Sequence, residues 1–153
     1  IGALQLHTDI AAHADHAVDE RALDRLPSRG VQVRILMPEA SNHVVAEPDR
    51  PLALLLHGFG EFWWSWRHQL VSLTDAGYRA VAVDLRGYGD SDKPPRGYDA
   101  WTLASDITNL VRALGHSSAV IVGQGEGGFY AWTAAYRRPR AVRGLVVVGS
   151  PHP

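Results

Sequence analysis

The chain has 153 residues, 46% of them hydrophobic and 20% charged, with 15 Lys and Arg against 16 Asp and Glu. That length predicts one domain burying roughly 68–70% of its unfolded surface, enough for a core without covalent staples. The lack of Cys excludes a disulfide scaffold, a zinc–thiolate centre and a cysteine nucleophile. Near-neutral charge leaves no footprint for nucleic acid or an anionic membrane. No apolar run approaches the roughly 18 residues that span a bilayer, and no secretory leader pattern is evident, so the expectation is a soluble, cytoplasmic protein.

Residues 1–27 read as an N-terminal extension, helical or irregular, rich in Ala, His and Asp, with Leu4, Leu6, Ile10, Ala14, Val18 and Leu26 as a loose stripe. His13 and His16 stand near Asp9 and Asp15 at a spacing that permits a metal pair. A solvated helix face explains them better, and no metal is expected. Pro27-Ser28-Arg29-Gly30 breaks this segment, and residues 28–153 form the core unit. Val31 to Met37 alternates apolar with polar and predicts a half-exposed strand; a loop runs from Pro38 to Pro51. Leu52–Leu56 is a continuous apolar run, as expected of a strand covered on both faces. The pattern then predicts a helix from Trp64 to Ala76, a buried strand over Arg79–Val83 and a helix from Tyr98 to Leu114. A buried strand over Ser118–Val122, a helix over about 127–137 and a fourth buried strand over Leu145–Val148 complete it. Alternation of this kind calls for a parallel sheet with helices on both faces, with ligands beyond the carboxyl ends of the strands.

Each buried strand ends in a motif: His57-Gly58-Phe59-Gly60, Asp84-Leu85-Arg86-Gly87-Tyr88-Gly89, Gly123-Gln124-Gly125-Glu126-Gly127-Gly128, and Ser150-Pro151-His152-Pro153. Glycine after a strand is also plain turn chemistry. The third motif has two readings. As G-x-G-x-x-G it is a dinucleotide fingerprint, but that fingerprint belongs to a first βα unit and needs an acidic residue at the end of the next strand. Here Gly149-Ser150-Pro151 stands in that place. As small-x-nucleophile-x-small it is a nucleophile elbow, with Gly123, Gly127 and Gly128 as the small positions.

The runs His57–Arg67 and Asp84–Pro94, in this order and followed by that elbow, resemble the α/β-hydrolases. Epoxide hydrolases are the nearest branch and haloalkane dehalogenases a near relative, and the resemblance extends from about Val31 to Pro153. It implies an α/β-hydrolase fold of which the N-terminal half is present, with the cap and C-terminal strands absent, and hydrolysis of an epoxide, ester or similar small apolar substrate. It further implies an oxyanion hole from the backbone N–H groups of Phe59 and Glu126, beside a helix N-terminus that favours negative charge. His57, Gly58, Gly60, Trp63 and Trp64 fall around the pocket, although helix-to-sheet packing is the competing role for Trp63, Trp64 and Trp66. No cofactor is implied, because side chains and water suffice. The implied partner is a small apolar substrate or ligand, with no nucleic acid and no membrane; an oligomer is left open.

The nucleophile position falls on Gly125, which has no side chain, so covalent catalysis by this route is closed as the sequence stands. Glu126 is the only neighbouring candidate, as a nucleophile or as a base acting on water. Against that stands its reading as an acidic residue stabilised by the helix dipole, which is preferred. The family's acid and His lie downstream of the elbow. His152, just past the fourth strand, reads as a loop residue rather than the catalytic base. Asp84, Arg86 and Asp90 read as structural groups holding their own loop. Three functions follow: a hydrolase with an incomplete site, a catalytically inactive relative that binds a ligand or partner, and a nucleotide-binding α/β module.

Overall fold

The structure, a computed structural model, describes residues 33–35 and 50–152. The N-terminal extension with its histidines, and most of the loop from Pro38 to Pro51, lie outside the described residues. Five strands form one sheet: β1 (Val33–Ile35), β2 (Leu52–Leu56), β3 (Arg79–Val83), β4 (Ala119–Gln124) and β5 (Val142–Val148), in the order β1-β3-β2-β4-β5. Strands β2 to β5 are mutually parallel, with Leu54 opposite Val81 on one side and Ile121 on the other. Strand β1 is the exception to the expected parallel sheet, pairing antiparallel with β3 through Val33 and Val83.

Among the described residues three α-helices cover the sheet: α1 (Arg67–Asp75), α2 (Ala100–Ala113) and α3 (Glu126–Arg137). Side chains alternate across each strand, and the two sets go to two cores. Leu52, Leu54, Leu56, Val81, Val83 and Ile121 pack with Leu103, Ile107, Val111, Ala131 and Ala134 of α2 and α3. Leu55, Ala80 and Ala82 face the other way and pack with Trp66 and with Leu70 of α1. All five residues of β2 are buried, which is why this strand reads as an unbroken apolar run.

Two elements depart from the sequence pattern. The first helix does not begin at Trp64: Trp63–Trp66 form a 3-10 turn and the α-helix starts at Arg67. Strand β5 begins at Val142, three residues earlier than expected, and is not buried throughout. Leu145 packs on the core with α2 and α3, whereas Val146 and Val148 are about half exposed, at 48% and 52%. This strand is the sheet's edge among the described residues, and only one of its faces is covered there.

The topology fixes where a ligand can sit. Strands β2 and β4 are adjacent and parallel, yet the chain leaves β2 towards α1 on one face and leaves β4 into α3 on the other. The loops leaving their paired carboxyl ends therefore diverge to opposite faces, the arrangement of a topological switch point, where such folds form their ligand crevice. The two-sided burial of β2 can be checked by substitution in the full-length polypeptide. Leu54→Ala lowers unfolding free energy by about 2–5 kcal/mol through lost transfer energy and a cavity, and Val71→Ala on the exposed side of α1 stays within about 0.5 kcal/mol. Urea denaturation midpoints at unchanged slope measure both.

Candidate active site

The crevice is built on glycines, and they are not equivalent. A Cβ on Gly123 would stand 2.5 Å from the Gly127 carbonyl oxygen, and one on Gly127 would stand 2.5 Å from the carbonyl oxygens of Leu56 and His57. A Cβ on Gly128 would meet Ser150 and Val147 at 2.7 and 2.9 Å. Gly123 and Gly127 are small because the start of helix α3 rests directly on the backbone of the sheet, and Gly128 because it rests on the Ser150 and Val147 side chains. Gly125 differs: a Cβ there would meet only Gly58 Cα, at an ordinary 3.7 Å. Its constraint is dihedral, with φ 52° and ψ −117° at the strand-to-helix junction, a conformation that favours glycine. Its N–H donates to Val148 O at 2.9 Å and its carbonyl accepts from Phe129 N at 3.2 Å, which pins the turn to β5 and to the helix.

The loop after β2 lies opposite. His57 is fully buried. Its Nε2 accepts from Leu85 N at 3.0 Å, so Nδ1 carries the proton and donates to Gly58 O at 2.8 Å. That assignment occupies both ring nitrogens and leaves His57 structural. Gly58 N donates to Glu61 Oε2 at 3.4 Å. Phe59 is exposed at the rim, its ring edge-on to Tyr88 at 6.5 Å.

The loop after β3 hangs on Asp84, which is also buried. Its Oδ1 accepts from Trp63 N at 2.8 Å, its Oδ2 from Asp90 N at 3.1 Å, and its carbonyl from Ser91 Oγ at 2.6 Å. Asp84 thus holds its own loop as expected and also anchors the 3-10 turn. Arg86 does something else. Its guanidinium makes two parallel bonds to Asp106, at 2.8 and 2.9 Å, tying the loop to α2 rather than to itself. That bidentate hydrogen bond raises the Arg86 pKa.

The three tryptophans separate. Trp66 is buried in the α1-side core, and its Nε1 has no hydrogen-bond partner among the described residues. Trp63 packs against the same core. Trp64 is half exposed, edge-on to Trp63 at 5.2 Å, with the Arg67 guanidinium 5.5 Å above its ring. His152 lies against the ring of Trp132, at 4.5 Å between centroids.

Glu126 has partners that sequence reasoning missed. Tyr88 Oη donates to its Oε2 at 2.7 Å, and Tyr130 Oη donates to its Oε1. Tyr130 sits four residues on along the helix, a spacing that places both on one face. Tyr88 is 38 residues away in sequence and no local signal links it to Glu126. Burial, and then the bond to Glu126, pushes the Tyr88 phenol up to about 12, and Tyr130 is raised further for the same reasons. Both remain proton donors at neutral pH, so both oxygens of Glu126 are occupied. A base acting on water, or a nucleophile, would have to displace a phenol first. Among the described residues no group of three His, Cys, Asp or Glu could hold a metal ion, and no helix is long and apolar enough to cross a membrane.

Diverging loops after β2 and β4, with a positive-φ turn at Gly125 into a helix, define the site. The family model described as alpha/beta hydrolase fold matches residues 51–153. The chain belongs to the α/β-hydrolase family. Within it the chain is epoxide hydrolase-like. It is 50% identical over 115 residues to Epoxide hydrolase 3 of Xenopus tropicalis, a match covering 72% of this chain and 31% of that protein. It is 45% identical over 133 residues to Epoxide hydrolase 4 of Mus musculus, covering 83% and 37%. The crystal structure of Epoxide Hydrolase A from Mycobacterium thermoresistibile matches at a TM-score of 0.67 and 33% identity, covering 76% of this chain and 34% of that one. The chain therefore spans about a third of the length of these relatives.

Two outcomes test the site's polar framework. Asp84→Asn turns an amide N–H towards one of two backbone donors and costs about 1–3 kcal/mol of stability, read from denaturant unfolding with unchanged secondary structure. Ultraviolet titration of the native protein is expected to show Tyr88 ionising near pH 12 rather than at the ordinary phenol value of 10.0. The folded state then holds a proton that the unfolded chain releases, so this contribution to stability is whole below pH 10 and is lost as pH rises towards 12.

Proposed function

We propose that this hydrolase scaffold binds an epoxide, ester or similar small apolar substrate at the β2–β4 crevice, with Gly125 at the position of the nucleophile. The observation that carries this reading is the contrast among the elbow glycines. Three are closed to a side chain, Gly123 and Gly127 by backbone and Gly128 by the Ser150 and Val147 side chains, and the fourth, at the crest, has room for one facing Gly58. A turn shaped in this way presents position 125 to the crevice, and nothing but the missing side chain stands between it and an attacking group.

With glycine at 125 no alkyl- or acyl-enzyme can form, because no side-chain atom is available to make the bond. Glu126 is no substitute while two phenols hold its carboxylate. The chain as it stands therefore binds its ligand without covalent turnover. The nucleotide-binding alternative lacks the acidic residue it needs at the end of the next strand, where Gly149-Ser150-Pro151 stands.

If a carboxylate is supplied at 125, its oxygen attacks an epoxide carbon. The ring C–O bond breaks, and the ring oxygen leaves as an alkoxide that takes a proton from water. The hydroxide this leaves attacks the ester carbonyl, with the N–H groups of Phe59 and Glu126, the pair the family resemblance implies, receiving the oxyanion. Its collapse breaks the ester C–O bond, and the departing alkoxide takes the carboxylic acid proton, which releases the diol and returns the carboxylate.

The test is Gly125→Asp with styrene oxide and Gly125→Ser with a nitrophenyl ester, each in the full-length polypeptide. The expected result is an ester adduct by intact mass, or turnover about tenfold or more above wild type, together with a stability loss of about 1–3 kcal/mol from the strained dihedrals. Absence of both adduct and turnover in the two folded variants overturns the reading.

A further inference from the structure

Glu126 is the charged group next to the crest of the elbow, and its surroundings are unusual for a carboxylate. Both oxygens accept hydrogen bonds, as an ionised carboxylate does, yet both donors are neutral phenols. Among the described residues it has no ion pair with Lys or Arg. The carboxylate is half-buried. It is enclosed by Tyr130 on its own helix and by Tyr88 from the loop after β3, and Tyr88 also stands edge-on to His57 at 4.9 Å and to Phe59 at 6.5 Å. One phenol thus touches the loop after β2, the loop after β3 and the elbow. The clamp holds the negative charge at the crevice and stops the side chain from swinging out to bulk water. Across the crevice Glu61 adds a second carboxylate, bonded to the Gly58 amide and to the Gln124 side-chain amide, again neutral donors.

From this we infer that Glu126 is a charge-selecting residue: its clamped carboxylate sets the crevice against anionic ligands, so that the site takes neutral or cationic molecules. The inference rests on the reading of the crevice as a ligand site and adds the charge class of what enters it. A like charge held roughly 10 Å away at an effective dielectric of about 20 is enough to weaken an anion's binding about tenfold. The same field opposes an oxyanion developing over the Glu126 amide, which makes the elbow's first helical residue a donor and an opponent of negative charge at once.

Phenylacetamide and phenylacetate are near-isosteric probes that differ in charge. Calorimetric titration of the full-length polypeptide compares them on wild type, Glu126→Gln and Tyr88→Phe. Wild type is expected to bind the amide about tenfold or more tighter than the carboxylate. Glu126→Gln, which keeps the shape and loses the charge, brings the two affinities together. Tyr88→Phe, which loosens the clamp and keeps the charge, retains most of the difference. A purely structural role for Glu126 would instead weaken both probes alike in Glu126→Gln. Equal affinities in wild type, or a difference that survives Glu126→Gln, overturn the charge-selecting role and leave the ligand site standing. Binding of neither probe to any of the three folded proteins overturns the ligand site and the selecting role together.

Discussion

Helix α3 meets the sheet without a layer of side chains at its first turn. A methyl group on Gly123 would collide with the backbone of the helix, one on Gly127 with the backbone at the end of β2, and one on Gly128 with the Val147 and Ser150 side chains at the end of β5. Most helix-on-sheet contacts in α/β proteins interpose two layers of apolar side chains. Removing them here draws the helix N-terminus down to the ends of the strands. The junction then has to turn sharply, and that sharpness is recorded in the positive φ of Gly125. The loop after β2 is brought within contact distance of the crest by the same approach, since Gly58 is the nearest neighbour of a side chain at 125. Without the glycine contacts there would be no crevice of this shape.

Two buried polar residues hold the loops that frame it. His57 and Asp84 have almost no exposed surface, and each uses its polar atoms to bind backbone groups across sequence gaps of up to 28 residues. A buried polar group with every partner present fixes one arrangement, because any other leaves a donor or acceptor stranded in a low dielectric. Each of these residues ends a strand, so the order of the sheet is passed directly to the loops. Arg86 extends the arrangement to α2 through Asp106. The site is rigid because its walls are bolted to different layers of the fold.

Much of this was legible in the sequence because the relevant signals are local. The unbroken run Leu52–Leu56 reports two-sided burial, and the glycine-rich strand ends report tight turns. The motif His57–Arg67 followed by Asp84–Pro94 and the elbow carries the family. What was not legible depends on distance along the chain. The antiparallel pairing of β1 leaves no mark in a three-residue strand. The half-exposure of Val146 and Val148 follows from the neighbours β5 has, not from its composition. The bond from Tyr88 to Glu126 and the bidentate Arg86–Asp106 pair join residues whose separation only the folded chain closes. Glu126 is the instructive case. Its place at a helix N-terminus explains why an acid is tolerated there, and the two phenols explain why it is held.

Glycine at the crest also changes what the rest of the molecule must withstand. A side chain at φ 52° would load the turn with strain that the surrounding packing has to balance. Without one, the elbow rests in a conformation natural to its residue, and the stability otherwise spent on that strain remains as reserve. A protein with reserve tolerates substitutions that would push a strained relative below its folding threshold. In the proposed ligand-binding role the walls of the crevice answer to binding alone, and their loops are open to change in charge and shape while the glycine seat of α3 stays fixed.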